Sequence, residues 1–423
     1  MSKIILLALL FLFVGCSQKS PQPDQKAFEQ EDTYIIFALH AEQMGDYKSA
    51  AKLFETLYKK SGNKEYLYRY LNDTMKVGAY TAVIKSVDAN SVTSSFDAKL
   101  VRFKVKALIG LNRLDAASKL ALVLAKKSNK PADYILLSDI YTQQKKYNLA
   151  LKYLEGAYVK NYNEAILDKM AVILYVNLHK KSEAIAYLES HARMQGCSKR
   201  ICGRLASFYS YDNNIDGLLS IYKRLYAKYK SDALAEKIIE IYSYKKEYVK
   251  LMDFLEANPV DNRLLLELYL SAKDYKKASD LAYKLYKSED DYVYLGQSAI
   301  YNYESYKGKI PKSALQKVVK ELSEVLKYNK DTLYLNYLGY ILIDHDIDVK
   351  KGVSYIREAL KKEPNSAYYL DSLAWGYYKL GWCFKANKIM KKVVDLGVGD
   401  EPEVKEHITK IKRCMKHKRN KKR

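Results

Sequence analysis

The chain carries little that would break a helix: 7 Pro and 17 Gly in 423 residues. Proline removes a backbone donor and glycine costs conformational entropy, so their scarcity favours long runs of helix. Alternating apolar and polar stretches of strand length are missing, which argues against a sheet. Acid is in deficit, with 49 Asp and Glu against 72 Lys and Arg, for a formal charge of +23. Histidine is sparse and dispersed (His40, His179, His191, His345, His407, His417), and none has metal-ligand spacing with Cys or another His. No Gly-rich phosphate loop, Walker motif or G-x-S-x-G elbow occurs. The only pronounced apolar run, Ile4 to Val14, is short for a bilayer span and suits the core of a signal peptide. These absences predict an all-α protein that is not an enzyme and holds no metal or cofactor.

What is present is a period. Units starting at Pro131, Ala165 and Lys199 lie 34 residues apart. Their position 7 is Leu137, Ala171 and Leu205, and their position 11 is Tyr141, Tyr175 and Tyr209. Position 8 is Ser138, Val172 and Ala206; position 20 is Ala150, Ala184 and Leu218; position 24 is Leu154, Leu188 and Tyr222. Small residues at 8 and 20 let two helices cross closely, and large ones at 7, 11 and 24 fill the remaining space. Many of the 41 Tyr fall on repeat positions, so they read as packing residues and not as a nucleic-acid stacking platform.

This unit resembles the tetratricopeptide repeat. The register continues from Glu31 (with Ala38, Gly45, Ala50 and Phe54), through weaker units near Glu65 and Asp97, a shortened one near Asp232, and one near Pro259. Residues 290–330 are irregular, with an inserted loop at Lys307–Pro311 and Pro311 in the first turn of the next helix. Two strong units start near Thr332 and Ala367. The expected fold is an α-solenoid, a tetratricopeptide superhelix over 31–400, strongest at 131–232 and 332–400, of roughly eleven helix-turn-helix repeats. A capping helix is expected over 401–416, where Val404, Ile408, Ile411 and Met415 recur at helical spacing, followed by a basic tail, 417–423.

The N-terminus resembles a bacterial lipoprotein signal: residues 1–15 end in Phe13-Val14-Gly15 before Cys16. That resemblance implies lipidation of Cys16 and a Ser-, Gln- and Pro-rich tether over 16–30. Ser17, which is not Asp, implies the outer rather than the inner membrane, with the chain facing the periplasm. An exported chain does not meet nucleic acid routinely, so its charge points to anionic lipid, lipopolysaccharide, an acidic protein, or simply a solvated basic surface. Cys197 with Cys202, and Cys383 with Cys414, are candidate disulfides in such a compartment; the alternative is four free thiols or small core residues.

The C-terminal block is the most specific. Asn336-Tyr337-Leu338-Gly339-Tyr340, then Asp344-His345-Asp346, Glu363-Pro364-Asn365 and Asp371-Ser372-Leu373-Ala374-Trp375 resemble the paired last repeats of bacterial tetratricopeptide lipoproteins, where the pattern is NYLGY, Asp-Arg-Gly, DSLGW. Here His345-Asp346 replaces Arg-Gly and Ala374 replaces Gly. The best understood of that group are partners of the carboxy-terminal processing protease, and the resemblance implies an adaptor holding that protease and its substrates. It also implies a concave groove lined by Asn336, Tyr340, Asp344, Asp371, Trp375, Tyr378 and Lys379. For Trp375 the other reading is packing against the preceding unit. The alternative function is a structural module binding anionic lipid, lipopolysaccharide or peptidoglycan through the basic surface. High salt separates the two, since ionic binding collapses in it and capture by an aromatic groove survives.

Overall fold

The computed structural model describes residues 26–91, 96–306 and 309–420. Cys16 and the signal sequence lie outside the described residues, as does the end of the basic tail, 421–423. Among the described residues there are 23 α-helices and no strand, which is eleven helix pairs (2 × 11) and one final helix. The fold is an all-α solenoid. The chain divides into two compact units between Lys230 and Ser231.

The first unit holds six pairs, from Glu31–Gln43 with Tyr47–Ser61 to Lys199–Tyr211 with Ile215–Tyr229. The small residues do what their spacing predicts: Ala38 and Ala50, Ser138 and Ala150, are fully buried at the crossings. Large apolar side chains close each pair, such as Phe54 and Leu57 in the first and Leu137 and Leu154 in the fourth. Ion pairs one repeat apart tie neighbours together. Arg102 donates from Nε and Nη2 to Asp133 at 2.6 and 2.8 Å, and Arg204 does the same to Asp168 at 2.6 and 3.1 Å. Planar two-point pairs of this kind add direction as well as energy.

Two details depart from the 34-residue template. The first helix of the fifth pair, Glu164–Val172, runs on into a π-turn at Ile173–Asn177. In the sixth pair the crossing is not at Leu218 and Tyr222. It slips one residue, so that Gly217 lies under the Tyr209 ring and Ile221 and Leu225 are the buried residues. An added Cβ on Gly217 would come within 2.8 Å of that ring. In this pair the Tyr209 ring leaves room for no side chain opposite it.

Scarce glycine does not prevent sharp turns. Left-handed backbone is taken by Asn112, Lys145, His179 and Asn213 in the first unit, and by Lys246, Lys273 and Asp346 in the second. Among the described residues, Gly45, Gly78 and Gly381 do the same job with glycine between paired helices.

The second unit holds five pairs and the final helix, Pro402–Asn420. Its shortened pair, Asp232–Tyr244 with Tyr248–Ala257, is followed by a helix that begins at Asn262, not at Pro259, because Asp261 caps it by accepting the Leu264 N–H at 2.9 Å. The stretch expected to be irregular holds a regular pair, Tyr292–Ser305 with Lys312–Tyr328; residues 307 and 308 of the expected inserted loop lie outside the described residues. Pro311 occupies the cap position with extended backbone (ψ 147°) rather than the first turn. Between Thr332–Asp344 and Val349–Lys362 the two backbones meet directly, where Gly339 faces Gly352. Asp348 caps the second of these helices through the Lys351 N–H at 3.0 Å. The final helix buries Val404 and Ile411 with Leu370, Ala386, Met390 and Val393.

The sulfur atoms of Cys197 and Cys202 are joined, as are those of Cys383 and Cys414, with Cα atoms 5.6 and 5.7 Å apart. The second link fastens the final helix to the last pair. At the other end, Phe28, within the expected tether, packs edge-on to Tyr34 with ring centroids 6.0 Å apart.

Candidate functional site

In the second unit, the first helices of the last three pairs lie side by side, and the final helix crosses them. Between them is an open cavity of about 860 Å³. Five tyrosines line it: Tyr303 from Tyr292–Ser305, Tyr337 and Tyr340 from Thr332–Asp344, and Tyr368 and Tyr369 from Ala367–Lys379. Carboxylates come from all four helices, including Glu304, Asp344, Asp371 and Glu403. Helical periodicity explains the choice of face: Tyr337, Tyr340 and Asp344 recur at three and four residues, opposite the buried Leu335, Leu338 and Leu342.

Of the seven expected groove residues, Asn336, Tyr340, Asp344, Asp371 and Trp375 reach this cavity. Asn336 brings a buried Oδ1 that has no hydrogen-bond partner. The Tyr340 hydroxyl donates to Glu403. Asp344 accepts the Trp375 Nε1–H at 2.9 Å. Tyr378 and Lys379 do not line the wall. Tyr378 stacks behind Trp375 with centroids 4.8 Å apart, and the Lys379 ammonium donates to the Asp344 carbonyl at 3.0 Å and to Asp346 at 2.7 Å.

Trp375 needs a correction as well. It is only 3% exposed, sandwiched between Tyr378 and the His407 ring, so most of its face is packing and only an edge faces the cavity. The physical reason is the final helix. Its Val404–Ile411 side seals the last pair, but its other side brings Glu403, Glu406, His407 and Lys410 to the cavity. Positions 403, 407 and 410 are three and four residues apart, so the second face was readable in the sequence as a polar stripe beside the apolar one.

The cavity's electrostatics run against the chain's charge. Burial pushes the Glu304 carboxyl above the usual carboxylate range; the Tyr337 hydroxyl, donating to it at 3.2 Å, opposes this, and Glu403 adds to it. The Tyr303, Tyr337 and Tyr340 phenols are all pushed well up, first by burial and then by the neighbouring carboxylates. Like charges in a partly dry site raise one another in this way. Among the described residues no group of three or more His, Cys, Asp or Glu is placed to hold a metal ion. No helix among them is long and apolar enough to cross a membrane.

Fold and site together define an all-α helical-repeat protein with a concave, tyrosine- and carboxylate-lined cavity near its C-terminal end. No protein-family model matches the chain, and no curated protein does. Solved structures resemble it weakly. The MamA protein of Desulfovibrio magneticus RS-1 (residues 41 to the end) gives a TM-score of 0.35 at 11% identity, over 40% of this chain and 97% of that one. The APC/C hetero-tetramer Cut9–Hcn1 gives 0.30 at 13% identity, over 90% of each chain. The Naa15/Naa10 complex bound to HypK-THB gives 0.29 at 11% identity, over 89% of this chain and 65% of that one. At such scores the likeness carries no argument about function.

Proposed function

We propose that this protein is a non-catalytic adaptor that captures a segment of another protein in the cavity of its last repeats. The observation that carries this reading is the cavity itself. At about 860 Å³, with tyrosine rings beside amide and carboxylate groups, it has the size and mixed chemistry of a peptide-recognition groove. The final helix, pinned by Cys414 to the last pair, preorganises one wall, which lowers the entropy cost of binding.

In the fuller form of the proposal, the chain is a bacterial envelope lipoprotein anchored through Cys16. It faces the periplasm, more on the outer than the inner membrane, and holds a carboxy-terminal processing protease or an assembly complex together with its clients. The lipoprotein-like N-terminus and the NYLGY–DSLAW block support that form. The test is recovery of partners from envelope extract by the purified full chain, washed at high salt and identified by mass spectrometry. Recovery of a periplasmic protease with its substrates supports the adaptor. Recovery of lipid or glycan alone, and only at low salt, supports the structural module instead.

A further inference from the structure

The cavity wall holds acceptors with no cation against them among the described residues: Glu304 is half-buried and Glu403 exposed at its rim. Glu304 and Glu403 accept hydrogen bonds from Tyr337 and Tyr340, and among the described residues neither makes an ion pair. The nearby cations are committed elsewhere. Lys410 pairs with Glu406 and lies 5.1 Å over the Trp375 ring. Lys379 pairs with Asp346 at 2.7 Å, and His407 faces Asp371 at 3.0 Å. His345, at the edge, shares its Nε2 with the Tyr303 hydroxyl at 3.2 Å. The third acceptor is the Asn336 Oδ1, buried without a partner. A buried acceptor left open costs free energy until a donor fills it.

The complementary ligand therefore carries several N–H donors, positive charge, and a flat or compact head that sits against tyrosine rings. A guanidinium or an ammonium group meets all three requirements. The cavity is also too large for one such head alone, so the rest of its volume suits the backbone and neighbours of an extended segment.

We propose that this cavity is a specificity pocket for a basic peptide: Glu304, Glu403 and the Asn336 Oδ1 receive an Arg or Lys side chain, against Tyr303, Tyr337 and Tyr340. The inference rests on the groove reading above and adds the sign of the partner's charge. It is the opposite of what the chain's net charge of +23 suggests. Local sign, not net charge, decides what enters a cleft.

The two Trp residues provide the measurement. In the full chain carrying Trp382→Phe, Trp375 is the sole reporter and borders the cavity. Capped octapeptides alternating Gly with Arg, or Gly with Glu, are titrated at moderate salt and followed by Trp375 emission and by calorimetry. The arginine peptide is expected to bind and the glutamate peptide is not. Glu304→Gln and Glu403→Gln should each weaken the arginine peptide by about tenfold or more, the scale of one charge-assisted hydrogen bond. Gln keeps the shape and still accepts the tyrosine hydroxyl, so both variants should fold, which circular dichroism checks. Glu236→Gln, on an exposed site outside the cavity, should change nothing.

Equal affinity for the two peptides, or no loss in either cavity variant, overturns the proposal. So does an equal loss in Glu236→Gln. If the full chain captures protein partners but binds no arginine peptide, the basic specificity fails and the groove stands. If it captures no partner and binds neither peptide, the groove reading fails with it.

Discussion

His407 lies flat on Trp375, with ring centroids 4.1 Å apart and planes 15° from parallel, and its Nδ1 faces the Asp371 carboxylate at 3.0 Å. This contact latches the final helix to the concave face of the last pair. Replacing His407 with Ala removes a buried ring and a hydrogen bond to a charged group, together about 2–4 kcal/mol. The expected outcome is faster hydrogen exchange over Pro402–Asn420 and a red shift of Trp375 emission in the Trp382→Phe background. Exchange in the first unit should stay as it was.

The Gly339–Gly352 crossing offers a sharper steric test. A Cβ on Gly352 would stand 2.5 Å from the Gly339 carbonyl oxygen, and one on Gly339 would stand 2.9 Å from the Gly352 carbonyl oxygen. Backbone cannot yield as a flexible side chain does, so Gly352→Ala should cost about 1–3 kcal/mol of stability. Gly203 is a helix-interior glycine with nothing within 4 Å of an added Cβ. Gly203→Ala should stabilise by about 0.5–1 kcal/mol, since it only removes unfolded-chain freedom. Thermal melts of the two variants should move in opposite directions.

Asp73 gives a pH signature. Its side chain is 0% exposed, and neither carboxylate oxygen has a hydrogen-bond partner; the Lys76 ammonium stands 3.6 Å away. Burial, reinforced by Glu42 and opposed by Lys76, pushes its carboxyl up to about 6 from the usual 3.8. The folded state thus holds this proton more tightly than the unfolded chain does. Its contribution to stability is complete below about pH 3.8 and is lost as pH rises through about 6. Asp73→Asn should therefore raise the melting temperature at pH 7.5 and leave it nearly unchanged near pH 3.5. An equal shift at both values would contradict the assignment.

The Cys383–Cys414 link closes a separation of 31 residues. Chain-entropy arguments give such a loop about 3–4 kcal/mol. Cys414→Ser should lower the melting temperature and loosen the final helix, and its effect should not add to that of His407→Ala, since both act on the same docking. Titration of the denatured, unreduced protein should find none of Cys197, Cys202, Cys383 and Cys414 free; four free thiols would contradict both links.

The repeat architecture was legible because its cause is local. A crossing needs a small side chain at a fixed interval, and Ala38 with Ala50, Ser138 with Ala150 and Gly339 near Gly352 announce it in the primary structure. Asp348 as a cap was legible for the same reason. The slip at Gly217 was not, because a Tyr ring chose the partner residue across space. Nor was the π-turn at Ile173–Asn177, which leaves the apolar pattern intact. At the candidate site, the Asn336–Asp344 face followed from helical spacing. The covering of Trp375 did not, because it depends on where the final helix docks. The acidity of the cavity was hidden by the net charge, which averages over a surface that the cavity does not sample.

The most direct test of the groove is a photo-crosslink. Tyr368 lines the cavity and is 60% exposed, and Tyr244 is 77% exposed on another pair. A photoreactive phenylalanine analogue is placed at each position in the full chain, in cells, and irradiated. Specific protein adducts from position 368, diminished by Glu403→Gln and absent from position 244, are the predicted result. Adducts of equal yield from both positions, or from 244 alone, would contradict a binding groove in the last repeats.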